Sequence, residues 1–83
     1  MKATVLVRPR LGILDPPGEA VLGALRHLDF TVSDVRIGRV VDIELETEDA
    51  SAARAEVERM CEQLLANPLI ESYEIELELE EEA

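Results

Sequence analysis

Eighty-three residues make a single small domain, read here as residues 1–83, and a chain this short removes only about 60% of its unfolded surface from water, so outside support for its stability is expected. One cysteine, Cys61, and one histidine, His27, exclude an internal disulfide and a Cys/His zinc cluster, which leaves association with other chains as that support. The net charge of −11 is split, with six basic and four acidic groups in residues 1–39 and two basic and fifteen acidic in residues 40–83, and with only Phe30 and Tyr73 for stacking this argues against nucleic acid or an anionic membrane as partner.

The segment Met1 to Arg8 has an apolar stretch of only five residues, too short for a signal peptide or a membrane span, so a cytoplasmic, reducing location is expected. Ala3, Val5 and Val7 alternate with Thr4, Leu6 and Arg8 until Pro9, which reads as a strand with one apolar and one mixed face. A loop follows, and Asp15-Pro16 signals a helix start, with Asp15 as cap and Pro16 at the first helical position. The helix is expected to reach about Leu28, with Val21, Leu25 and Leu28, supported by Ala24, packing on a sheet. Residues 32–46, interrupted at Gly38-Arg39, read as one long bent strand or as two hairpin strands. A second helix, capped by Asp49 or Ser51, carries the stripe Ala53, Val57, Met60, Cys61, Leu64 and Leu65 and ends at Asn67-Pro68, where asparagine tolerates a left-handed conformation. Tyr73, Ile75, Leu77 and Leu79 alternate with Glu74, Glu76, Glu78 and Glu80 in a last strand, followed by the Glu80-Glu81-Glu82 tail. The order predicts an α+β, ferredoxin-like β-α-β(β)-α-β fold, a mainly antiparallel sheet with two helices on one face. Leu6 and Val40 then fall on an uncovered face, a common place for a protein interface.

Residues capable of chemistry are few. His27 has no partner nearby in sequence and reads as a helix-end surface residue. Cys61 lies on an apolar stripe, where burial makes a thiol inert. The outward glutamates of the last strand spread along a line and not around a point, so they suit a solvated face that discourages strand pairing better than a cation site. Gly12 and Gly18 flank a helix start, but no phosphate-binding motif is present and the prolines remove amide donors, so loop geometry accounts for them. Arg8, Arg10, Arg36 and Arg39 concentrate positive charge, expected on one side of the sheet, where pairing with the acidic half of a sister chain is favoured over an anionic ligand.

Three stretches carry a family resemblance: Leu14-Asp15-Pro16-Pro17-Gly18-Glu19-Ala20-Val21 with Ala24-Leu25, then Val35-Arg36-Ile37-Gly38-Arg39, then Cys61 through Tyr73 with Leu64-Leu65-Ala66-Asn67-Pro68 and Ile70-Glu71. In this order and spacing they resemble the PurS family, the small subunits of phosphoribosylformylglycinamidine synthase. Two departures are visible: Arg39 stands where lysine is usual, and Asp29 where the family often turns on glycine. The resemblance implies an accessory subunit of purine biosynthesis with no catalytic residue, cofactor or metal of its own. It also implies a dimer or tetramer that joins a glutaminase subunit to a large synthetase subunit using ATP and magnesium, and that is needed for ammonia to pass between them. Arg8, Asp15, Pro16, Gly18, Arg36, Gly38, Arg39, Asn67 and Pro68 are the candidate motif or partner-binding residues. The rival reading, an ACT-type metabolite-sensing domain, shares the element order but rests on Gly12 alone.

Overall fold

A computed structural model of the chain describes residues 1–78, so the expected positions of Leu79 and the glutamate tail lie outside the described residues. Strand β1 (Lys2–Pro9) is the middle of a three-stranded antiparallel sheet, ordered β2-β1-β3 with β2 at Arg39–Glu44 and β3 at Glu71–Glu78. Helices α1 (Pro16–His27) and α2 (Ala50–Met60) complete the α+β, ferredoxin-like arrangement, and a single π-turn, Cys61–Leu65, extends α2.

The alternation read from β1 sets the sheet's two faces. Ala3 lies between Ile43 and Leu77, and Val5 between Val41 and Ile75, so every one of these side chains points to the same side. Helix α2 covers that side with Ala53, Val57 and Cys61, spaced one turn apart and all fully buried. Two of the three are small, which lets the helix axis lie close to the strands. Asp49 caps α2 by accepting from the Ser51 N–H at 3.0 Å, which resolves the choice between the two caps. Met1 and Leu45 close one end of the core, exchanging backbone hydrogen bonds between the terminal amino group and the Leu45 carbonyl (3.2 Å) and between the Leu45 N–H and the Met1 carbonyl (2.8 Å).

Four sequence expectations are corrected. Residues 32–46 form neither a long bent strand nor a hairpin: the strand starts at Arg39, and Val32, Val35 and Ile37 lie in irregular chain. The backbone there is already engaged, since the Val32 carbonyl accepts from Arg26 Nε (3.1 Å) and the Ile37 N–H donates to Asp15 Oδ2 (2.7 Å). In α1 the buried positions are Gly18 and Leu22, with Leu25 half-buried, while Val21 and Leu28 are exposed. Apolar residues on several sides of this short helix left its buried face ambiguous, and none of them enters the core built on β1 and α2. Leu64 is also exposed, although a regular helix would centre it on the buried stripe. The π-turn, marked by the Ala66 N–H donating to the Cys61 carbonyl at 3.1 Å, turns less per residue and brings Leu65 inward instead. Finally, Asn67 is not left-handed; the positive φ, 70°, is at Asp29 after α1, where the Asp29 N–H donates to the Arg26 carbonyl.

The result is open. The accessible surface is 6194 Å², against about 4,900 Å² for a compact protein of this mass. The Cα radius of gyration is 16.3 Å, against about 12 Å for a compact chain of this length. Two glycines separate close packing from open surface: a Cβ on Gly38 would collide with the Val7 carbonyl oxygen, whereas one on Gly23, inside α1, meets nothing within 4 Å. Gly38→Ala is therefore expected to cost about 2 kcal/mol and Gly23→Ala to stabilise by about 0.5 kcal/mol, both read as shifts in urea-unfolding midpoint. Equal effects of the two would show that Gly38 is not a tight contact.

Candidate functional site

The arginines do not gather on one side of the sheet, since Arg8 and Arg39 belong to opposite faces, but three of the four meet at its end. Arg8, Arg36 and Arg39, with Gly38, line an open cleft of about 500 Å³ where the irregular segment 31–38 crosses the end of β1, and Asp34, Val40 and the neighbouring β1 residues complete its wall. Gly38 permits the crossing. Arg8 projects from the uncovered sheet face and pairs with Glu74 of β3 at 3.3 Å, both side chains about half exposed or more. Arg36 donates from Nη1 to the Pro9 carbonyl at 3.0 Å, which leaves its remaining donors without a carboxylate among the described residues. Arg10 turns away and donates from Nε to the Pro68 carbonyl at 3.0 Å.

Arg39 has a structural task. It sits on the covered face at one edge of the sheet, reaches across β1 and grips Glu71 with both terminal nitrogens, at 2.7 and 3.1 Å, while Nη2 also donates to the Leu65 carbonyl. Glu71 accepts in addition from the Asn67 N–H at 2.7 Å. Four elements thus meet on two side chains: β2, the π-turn, the loop after it and β3. A lysine at position 39 would keep the charge and lose the bidentate grip. These bonds hold the Glu71 carboxyl below its ordinary value and raise the Arg39 guanidinium above its own, the mutual hydrogen bond being the largest cause in each case.

The remaining motif residues shape loops. Asp15 does not cap α1; its carboxylate instead receives the Ile37 N–H, and Pro16 opens the helix as expected. Gly18 is buried where a Cβ would meet both the Asp15 carboxylate and the Val35 carbonyl, so close packing and not loop geometry requires it. Together these residues tie the irregular segment to α1. Asn67 folds the loop before β3 by accepting from the Leu69 N–H on its side-chain oxygen (3.2 Å) and from the Ile70 and Glu71 N–H groups on its carbonyl (3.1 and 2.8 Å). The Arg39–Glu71 grip was not legible from the sequence, because Glu71 is one of nineteen acidic residues and only the strand register singles it out.

The groups that could do chemistry are not poised for it. Cys61 is fully buried and its thiol is pushed up, first by desolvation and then by Glu62 and Glu58. The Tyr73 hydroxyl donates to Glu62 at 2.7 Å, which, with partial desolvation, pushes it up to about 12. His27 is exposed at the last residue of α1. Among the described residues no cluster of three or more His, Cys, Asp or Glu is placed to hold a metal ion. The site is therefore a surface built of cleft and loops.

Because Glu71 titrates below the ordinary 4.5, its contribution to stability is fully present above that pH and is lost as pH falls through 4.5 toward the lowered folded value. The stability difference between wild type and Glu71→Gln, from urea midpoints, is expected to shrink between about pH 5 and pH 3. A gap independent of pH would show that the Arg39–Glu71 pair contributes nothing as an ion pair.

With this geometry in hand, the relatives are informative. Residues 2–79 match the family model of PurS, phosphoribosylformylglycinamidine (FGAM) synthase. The PurS subunit of Methanocaldococcus jannaschii is 42% identical over 78 residues, covering 93% of this chain and 94% of that protein. A solved structure of PurS from Bacillus subtilis superposes with a TM-score of 0.84 at 40% identity, over 94% of this chain and 98% of that one. A chain of the structure of PurLQS from Thermotoga maritima superposes with a TM-score of 0.81 at 34% identity, over 90% of this chain and 93% of its counterpart. With its three-stranded sheet and two helices shared with these solved structures, and its sequence matching the family model over residues 2–79, the chain belongs to the PurS family, the accessory subunits of FGAM synthase in purine biosynthesis.

Proposed function

We propose that this chain, acting as one PurS-like domain, is needed for a glutaminase subunit and an ATP-dependent synthetase subunit to work together. It would let ammonia released by the first reach the second without escaping to solvent. The observation that carries this reading is the family match across residues 2–79, borne by a chain that exposes far more surface than its mass requires. Its apolar side chains Leu6 and Val40 on the bare sheet face, and Leu11, Leu14 and Leu69 in the loops, suit contact with other polypeptides.

Self-association as a dimer or tetramer supplies part of that contact, and the two catalytic subunits supply the rest. Among the candidate residues, Arg8 and Arg36 present charge to a neighbour, whereas Asp15, Pro16, Gly18, Gly38, Arg39, Asn67 and Pro68 hold the segments that display it. ATP and magnesium belong to the synthetase subunit, and the complex works in the cytoplasm. The ACT-type alternative is not favoured, since the family match over residues 2–79 is to PurS.

Purified synthetase and glutaminase subunits from the same organism, assayed with and without this chain, test the proposal. Glutamine-dependent amidine formation is expected to vanish in its absence, while ammonia-dependent formation by the synthetase persists at least in part. Full glutamine-dependent activity without the chain would refute it.

A further inference from the structure

Helix α1 is made to pack on a sheet and does not pack on its own. Val21, Ala24, Leu25 and Leu28 recur at successive turns along one side of it, yet α1 packs extensively against no strand and not against α2. Val21 is 38% and Leu28 65% exposed. The neighbouring side, with the buried Gly18 and Leu22, is tied to segment 31–38 instead. There the Asp15 carboxylate accepts from the Ile37 N–H, a Cβ on Gly18 would meet the Val35 carbonyl, and Arg26 Nε donates to the Val32 carbonyl. That segment is fixed in turn to the end of β1, where Gly38 presses on the Val7 carbonyl and Arg36 donates to the Pro9 carbonyl. These ties hold α1 away from its own sheet.

The sheet has the opposite deficit. Helix α2 leans over β1 and β3: it packs on β3, Glu58 borders Leu77, and Glu62 just after the helix receives the Tyr73 hydroxyl. Met60 lies two residues from each of these glutamates and therefore on the other flank, toward β2, where Val41 and Ile43 point to the same side; all three are only half-buried. Helices pack about 10 Å apart, roughly two strand spacings, so a second helix beside α2 would run along β2. Among the described residues no element of the chain takes that place.

We propose that α1 of a second copy of this chain takes it, so that two copies exchange their first helices about a two-fold axis and each completes the other's helix layer. Each chain offers one displaced helix and lacks one covering helix, and two chains satisfy each other. The area suffices: the accessible surface, 6194 Å², exceeds the figure for a compact chain by roughly 1,300 Å², more than the roughly 800 Å² that each partner gives to a standard interface. Chemistry selects the seat as well. Asp42, Glu74 and Glu76 surround Leu6 on the bare face, whereas Val41, Ile43 and Met60 bring no charge to the apolar stripe of α1. The proposal rests on the self-association included in the function above and names the contact that makes it.

The test uses the full-length chain alone, its mass followed by light scattering. The wild type is expected to contain at least two copies. Val21→Asp/Leu28→Asp, two positions exposed within a single chain, is expected to lower the mass at least twofold with helix content by circular dichroism retained. Leu69→Ser, at an exposed leucine before β3, is expected to leave the mass unchanged. A second measurement does not depend on separated copies staying folded. With a short bismaleimide, Leu25→Cys/Val41→Cys is expected to give a covalent dimer on a denaturing gel, Cys61 being buried out of the reagent's reach. Leu25→Cys/Glu76→Cys, whose second thiol lies on the bare face, is expected to give at most about a tenth as much. A wild-type mass of one chain, 9.2 kDa, would overturn the proposal, as would an unchanged mass for the aspartate variant, a link closed within one chain, or equal linking through position 76. None of these results touches the accessory-subunit reading, which is decided by the glutamine-dependent assay with the two catalytic subunits.

Discussion

Ala53, Val57 and Cys61 of α2 pressed onto Ala3, Val5 and Val7 of β1 are the contact from which the molecule is organised. Both rows are nearly free of solvent and built of small or β-branched side chains, so the helix can settle close to the pleated surface with little rotamer freedom left to lose. Val41 and Ile43 on one side and Tyr73, Ile75 and Leu77 on the other flank this seam and are only half-buried, because one helix is narrower than three strands. The opposite face has no covering layer of comparable content. Its central residue, Leu6, lies between Val40 and Glu74, and the neighbouring rows carry Thr4 with Asp42 and Glu76, and Lys2 with Glu44 and Glu78. A half-covered sheet is a costly design for a monomer and a natural one for a subunit.

What local chemistry decides was legible in the sequence. The alternation of β1 and β3, Pro16 at the start of α1, Asp49 as the cap of α2 and the stop at Asn67-Pro68 each involve residues within a few positions of one another. What failed depended on distant partners. Val32, Val35 and Ile37 have the composition of a strand, yet Asp15 and Arg26 engage the backbone of that segment from another element. Leu64 obeys helical periodicity, yet a single wide turn rotates it outward. The candidate site divides in the same way. The motif residues were recognisable, but the roles of Arg39 and Asp15 required the register that places Glu71 and Ile37 beside them.

The π-turn and the Arg39–Glu71 grip are two parts of one arrangement. Because the wide turn delays the end of the helix, the Leu65 carbonyl is left without a helical donor and faces the strands, where Arg39 Nη2 supplies one. The same guanidinium holds Glu71, and Glu71 holds the Asn67 N–H, so the exit of the helix and the entrance of β3 are tied to the first residue of β2. Exposure limits the energy of any one of these bonds, since the Arg39 side chain is 48% accessible. Their value lies in geometry, for they set the path of residues 66–70 and hence the direction in which Leu69 and Ile70 project.

The uneven charge of the chain bears on which of its edges can meet another strand. Both β2 and β3 are edge strands with unpaired backbone groups, and an edge of this kind invites pairing with a copy of itself. Antiparallel pairing of β3 with the β3 of another molecule would bring the rows Glu74, Glu76 and Glu78 face to face, and like charges directly opposite each other are destabilising. The β2 edge carries Arg39 together with Asp42 and Glu44, so no such uniform repulsion guards it. The glutamate row thus disfavours pairing of β3 with a copy of itself and leaves the β2 edge as the more permissive one.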